Sequence, residues 1–117
     1  MNSYKDLTIW KKAMELVVEI YRLSKQFPTD ERFSLTDQIR RAAVSIPSNI
    51  AEGKLRKSNK EFVQFLYIAR GSTGEVETQL LLACKLGFIQ TSEAQVAFGL
   101  CDEIGRMSAK LITQNDN

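Results

Sequence analysis

Apolar residues in this chain recur every three or four positions through four successive stretches. That periodicity constrains the fold more than any other feature, because it gathers them on one stripe of an α-helix and leaves none of the alternation a strand needs. In the first stretch Ile9, Ala13, Leu16, Val17, Ile20, Ser24 and Phe27 share a face, and Pro28 ends it, since the residue before a proline is driven out of the helical region. The second carries Leu35, Ile39, Ala42, Ile46 and Ile50 inward, with Ser34 or Thr36 as its cap. Pro47 falls inside it, removes a backbone donor and crowds the carbonyl of Ala43, which predicts a kink near Pro47. The third opens on Ser58-Asn59-Lys60-Glu61, a capping-box pattern, carries Phe62, Phe65, Leu66, Ala69, Val76, Leu80 and Ala83, and stops at Gly87. A second capping-box pattern, Ser92-Glu93-Ala94-Gln95, opens the fourth, whose stripe is Ala97, Leu100, Cys101, Ile104, Met107, Ser108 and Leu111.

These signals predict helices over about 5–27, 35–56, 59–86 and 93–113. Joints of a few residues force neighbouring helices to run antiparallel, so the expected fold is all-α: an up-down-up-down antiparallel four-helix bundle with helix 2 kinked near Pro47. The 117 residues suit a single domain, and only 6 Gly and 2 Pro interrupt them. No apolar run reaches the length of a signal peptide or of a membrane span, so the expected location is cytoplasmic, with no membrane partner.

The chain has no histidine, which removes imidazole general bases, Ser-His-Asp and Cys-His catalysis and the Glu-His pairs of di-metal bundles together. Cys84 and Cys101, its two cysteines, lack metal-site spacing and read as small core residues. The acid/base candidates left are carboxylates: Glu75 and Glu77, and Glu15 and Glu19, the latter two on an outward charged face. No catalytic residue, metal or cofactor is therefore expected.

A small bundle needs one apolar stripe per helix, yet helix 2 carries Val44, Ala51 and Leu55 on nearly the opposite side, and helix 3 carries Ile68, Leu82 and Leu86 away from its main stripe. Long helices carry stray apolar residues, but a contiguous exposed patch reads as a subunit interface, for which Val44, Leu55, Ile68 and Leu82 are the candidates. Within the inward stripe of helix 2, Ser45 and Asn49 pair by position with Ser72 and Glu75 as a polar network that fixes register. Gly71 and Gly74 in mid-helix each cost about 1 kcal/mol relative to alanine, which predicts close helix approach there.

Formal net charge is only +2, but it is unevenly placed. Between Gln38 and Arg70 seven basic residues (Arg40, Arg41, Lys54, Arg56, Lys57, Lys60 and Arg70) face two acidic ones, while the rest of the chain holds nine basic against twelve acidic. The run from Lys54 to Lys60 sits at a helix start, where free N–H groups and the dipole favour an anion. A solvated loop partly neutralised by Glu61 is the competing reading.

Two segments carry a family resemblance: Leu35-x-x-Gln38-Ile39-Arg40-Arg41-Ala42-x-x-Ser45-Ile46-x-x-Asn49-Ile50-Ala51-Glu52-Gly53, and Phe62-x-x-x-Leu66-x-Ile68-Ala69-x-Gly71-Ser72-x-x-Glu75. With them the chain resembles the bacterial four-helix bundle proteins encoded in 23S ribosomal RNA intervening sequences, and the similar accessory variability determinants of diversity-generating retroelements. The resemblance implies a bundle protomer in a ring, a homopentamer, with a basic surface suited to RNA or DNA, and in the retroelement branch a reverse-transcriptase partner. By position it implies Arg40, Arg41, Lys54, Arg56, Lys57 and Arg70 as basic candidates, and Ser45, Asn49, Gly53, Gly71, Ser72 and Glu75 as structural ones. No enzymatic activity is implied. The expected function is a non-enzymatic homo-oligomer that binds structured nucleic acid through repeated basic patches; the alternative is a homo-oligomeric protein-interaction scaffold without nucleic-acid binding.

Overall fold

A computed structural model of the chain describes residues 3–116. Four helices follow one another, α1 (Thr8–Ser24), α2 (Leu35–Lys54), α3 (Asn59–Lys85) and α4 (Gln95–Asn115), and no strand occurs among the described residues. Short 3-10 turns at Tyr4–Asp6, Thr29–Glu31 and Thr91–Ala94 lead into α1, α2 and α4. Each helix packs on the next and α1 closes against α4, with α2 on α3 the most extensive pair. The result is an antiparallel four-helix bundle measuring 44 × 24 × 22 Å, its long axis set by α3, whose 27 residues span about 40 Å.

The predicted stripes form the core. Leu16, Ile20, Leu23, Ile39, Ile46, Ile50, Leu66, Val76, Leu80 and Ile104 are all fully buried. Leu23 and Ile112 join it although the sequence stripes omitted them, while Phe65, Met107 and Leu111 are only half-buried. Trp10 packs against the core edge, with Tyr4 edge-on at 5.4 Å. α2 runs unbroken through Pro47, which is buried. Cys101 is buried and Cys84 half-buried.

α1 is shorter than the expected 5–27, starting at Thr8 after the Tyr4–Asp6 turn and ending at Ser24 ahead of Pro28, and the ends of the other helices depart from the sequence reading in two further places and a missing cap. Ser58 caps α3 by accepting the Glu61 N–H at 3.2 Å, but the Glu61 carboxylate accepts the Ser58 hydroxyl, so only one half of the expected box is made. Before α4 the pairing is Gln90 with Glu93 rather than Ser92 with Gln95: the Gln90 N–H donates to the Glu93 carboxylate and the Glu93 N–H to the Gln90 carbonyl, each at 3.0 Å. The extra turn this creates delays α4 to Gln95. Ser34 precedes α2 without a side-chain cap, and the Glu31 carboxylate takes the Leu35 N–H at 3.3 Å instead. Gly87 does end the third helix: at φ 77° it lets its own N–H reach the Cys84 carbonyl and the Phe88 N–H reach that of Ala83, a Schellman closure.

The glycine expectation is corrected. A Cβ on Gly71 or Gly74 meets no atom within 4 Å, so neither marks a close approach. The close approach is at Gly53, where a Cβ would lie 2.6 Å from Phe65 Cβ and 3.1 Å from Phe62 Cδ1. Only glycine lets the end of α2 seat itself on α3 at this distance.

Candidate nucleic-acid interface

Gly53 also builds the most cationic part of the surface. With α2 pressed onto the start of α3, the rings of Phe62 and Phe65 lie beneath the joint between the two helices. The Lys54 ammonium stands 5.5 Å from the Phe62 ring and the Arg56 guanidinium 4.9 Å from that of Phe65, so two of the joint's cations are held against aromatic faces. Arg56 is further fixed by Glu52 at 2.9 Å. Lys57 and Lys60 are exposed and, among the described residues, have no carboxylate within ion-pair distance.

The other three predicted basic residues do not extend this patch. Arg40 lies about 21 Å along α2 from Lys54, turned toward α1, where it donates to Ser24 Oγ at 2.8 Å and stacks 4.6 Å from the Tyr21 ring. It joins α1 to α2. Arg41 is exposed and paired with Asp37 at 3.0 Å. Arg70 lines a separate groove of about 390 Å³ between α3 and α4, alongside Glu77, Asp102 and Arg106. Arg70 is exposed and makes no ion pair among the described residues, and Arg106 is paired with Asp102 at 2.7 Å.

The polar residues of α2 and α3 meet at mid-bundle. Ser45 Oγ and Ser72 Oγ share a hydrogen bond of 2.8 Å, and Asn49 Nδ2 donates to both the carbonyl and the hydroxyl of Ser45. Glu75 makes no bond to this trio among the described residues; it lines the adjoining surface cleft with Gln38, Arg41 and Gln79. The spacing reading missed Gln79, whose Oε1 is buried and has no hydrogen-bond partner among the described residues. A half-buried glutamine carries no sequence signal that separates it from a solvated one.

Val44, Leu55, Ile68 and Leu82 are exposed at 41, 73, 50 and 45%. The core of the bundle therefore uses none of them.

Elsewhere the surface carries ordinary charge pairs. Arg22 holds Glu19 bidentately at 2.8 and 2.9 Å, and this hydrogen bonding lowers the Glu19 carboxyl pKa from its usual range. Lys12 meets Glu103 across α1 and α4 at 3.4 Å. Among the described residues no three carboxylate or thiol groups gather as a metal site, and no helix is long and apolar enough to cross a membrane.

The molecule is thus a small closed helical bundle whose distinguishing surface is a cationic joint at one end. The chain belongs to the 23S rRNA-intervening sequence protein family, whose model matches residues 5–110. Among solved structures it is similar to a protein of unknown function from the S23 ribosomal protein family of Bacteroides thetaiotaomicron, at 26% identity and a TM-score of 0.82, over 90% of this chain and 98% of that one. No curated protein matches the chain.

Proposed function

We propose that this protein is a non-enzymatic homo-oligomer, a pentameric ring by the family resemblance, that binds structured RNA or DNA through the α2–α3 joint repeated around the assembly. One observation carries the reading: Lys54, Arg56, Lys57 and Lys60 occupy a single exposed joint, two of them braced on aromatic rings and two unpaired among the described residues. The binding surface is narrower than the seven residues of the sequence reading, because Arg40 and Arg41 serve other contacts and Arg70 lies in a separate groove. Assembly is supported by the exposed apolar residues of α2 and α3, which the protomer leaves uncovered.

One such joint gives only weak, salt-sensitive binding, on the order of 10⁻⁴ to 10⁻⁶ M. Several joints on one assembly turn later contacts into intramolecular ones and raise apparent affinity by about 100-fold or more. Binding of structured RNA and of duplex DNA to the wild type, and to a variant with Lys54, Arg56, Lys57 and Lys60 all replaced by Ala, tests this. The wild type is expected to bind with log K falling against log[salt], and the variant to lose binding while keeping its mass. Absence of wild-type binding at ~50 mM salt, where electrostatic contacts are strongest, removes the reading. The second reading, a protein-interaction scaffold, then takes its place; the apolar side chains exposed away from the joint, Phe33 at 85% and Leu86 at 58%, favour it.

A further inference from the structure

The cationic joint opens directly into a groove between the start of α3 and the end of α4. Asn59, Lys60, Val63, Gln64 and Tyr67 recur at helical spacing along one side, and Asn115 with Asp116 closes the other, enclosing about 520 Å³. Val63 is buried beneath it, whereas Tyr67 is 52% exposed. Asn115 Nδ2 is fixed on the Leu111 carbonyl at 2.8 Å, which leaves its amide oxygen as an acceptor. Asn59 and Gln64 make no side-chain hydrogen bond among the described residues, so two complete amides and one amide oxygen border the groove.

A partly exposed aromatic face, neutral amides that donate and accept, and a cation at one end together match the parts of a nucleotide. The ring offers a stacking surface, the amides suit the edge of a base, and Lys60 with neighbouring Lys57 suits the phosphate. Lys60 and Tyr67 lie on the same face of α3, two turns or about 10 Å apart. Asp116, at the α4 side, repels an anion, so the phosphate belongs at the joint and the base inside.

We infer that this groove takes the base of an unpaired nucleotide, stacked on Tyr67, with its phosphate held by Lys57 and Lys60. The protein therefore prefers single-stranded segments, loops or ends to uninterrupted duplex. A base within a duplex is already stacked and paired, and cannot enter without being pulled out. The inference rests on the nucleic-acid reading above and adds the strand class that the site selects.

The test uses the full chain at ~100 mM salt, where electrostatic binding is weakened but not abolished. Affinity is measured for matched single-stranded RNA, single-stranded DNA and blunt duplex of equal phosphate number, the single strands also carrying 2-aminopurine to report stacking. The wild type is expected to bind single strands more tightly than duplex and to quench the 2-aminopurine fluorescence. Tyr67→Ala is expected to lose about 5- to 100-fold on single strands, the loss that accompanies removal of one base–aromatic stack, with duplex binding unchanged. Tyr67→Phe keeps the stack and is expected to keep the affinity, and thermal melts of both variants establish that they fold. A preference and quench on either RNA or DNA supports the inference. Equal binding of duplex and single strand, no quench, or a Tyr67→Ala loss that is the same on duplex overturns it while leaving the cationic joint in place. Failure of the wild type to bind any of the three removes the joint and the groove together.

Discussion

Gly53 is the residue on which the cationic joint depends, and its role is steric. A methyl group there would fall 2.6 Å from Phe65 Cβ, an atom anchored to the α3 backbone that cannot swing aside. Gly53→Ala gains helix propensity of about 1 kcal/mol but overpacks the contact. The expected outcome is a net loss of about 1–2 kcal/mol in urea denaturation. Gly71→Ala and Gly74→Ala meet open space and are expected to stabilise the protein by up to about 1 kcal/mol each. Cysteine reactivity divides in a similar way. Burial, with a smaller contribution from Glu77, pushes the Cys101 thiol up to about 12. Its neutral thiol persists in the folded state at pH values where the unfolded chain ionises near 9, so Cys101 contributes stability that is full below pH 9 and declines as pH rises toward about 12. At pH 8 a thiol reagent under native conditions is expected to modify half-buried Cys84 first, with Cys101 reacting only on unfolding; mass mapping of the labelled chain checks the order.

At the scale of the helices, two arginines close in the sequence of α2 have different tasks. Arg40 ties α2 to Ser24 and Tyr21 of α1, whereas Arg41 pairs with a carboxylate of its own helix in solvent. Arg40→Ala is expected to lower stability by about 1–2 kcal/mol, through a lost charge-assisted hydrogen bond and its stacking, and to leave nucleic-acid affinity intact. Arg41→Ala is expected to change stability by less than about 0.5 kcal/mol. The double replacement Lys57→Ala with Lys60→Ala, which removes the two joint cations without an ion pair among the described residues, should behave the opposite way to Arg40→Ala, with binding weakened and melting temperature nearly constant; differential scanning calorimetry beside anisotropy titration separates the two. Helix ends are equally local. The positive φ of Gly87 permits the double closure onto Cys84 and Ala83, so Gly87→Ala is expected to destabilise the α3 C-terminus, seen as faster amide exchange in its last turn.

At the scale of the whole molecule, the bundle satisfies its core with one stripe per helix and leaves Val44, Leu55, Ile68 and Leu82 in solvent. An assembly that covers them removes apolar surface worth roughly 25 cal/mol per Å². Light scattering of the wild type at micromolar concentration is expected to give a mass several times 13.3 kDa. Val44→Asp is expected to reduce that mass, because it places a charge in the face proposed to be covered on assembly, while leaving the bundle helical, since Val44 is exposed and lies outside the core. A monomeric wild type would remove the assembly and, with it, the multivalent gain in affinity.

Periodicity alone determined that the chain forms four helices and which side of each is buried, because a 3.6-residue period gathers the apolar side chains that recur at three- and four-residue spacing onto one stripe whatever the neighbours are. It also marked the Lys54–Lys60 cluster, since four cations within seven residues stay together in any fold. Tertiary structure decided everything that depends on distance between helices. Charge counting between Gln38 and Arg70 grouped seven cations, yet helix rotation turned Arg40 toward α1 and Arg70 toward α4. Of the glycines that the resemblance marked as structural, Gly53 and not Gly71 makes the close approach, and the physical reason for it is visible only once Phe65 stands opposite it. The Tyr67 groove joins residues separated by nearly half the chain, Asn59 through Tyr67 and Asn115. No local pattern encodes that meeting; it follows from the antiparallel packing of α4 against α3, which brings the last turn of one helix beside the first turns of the other.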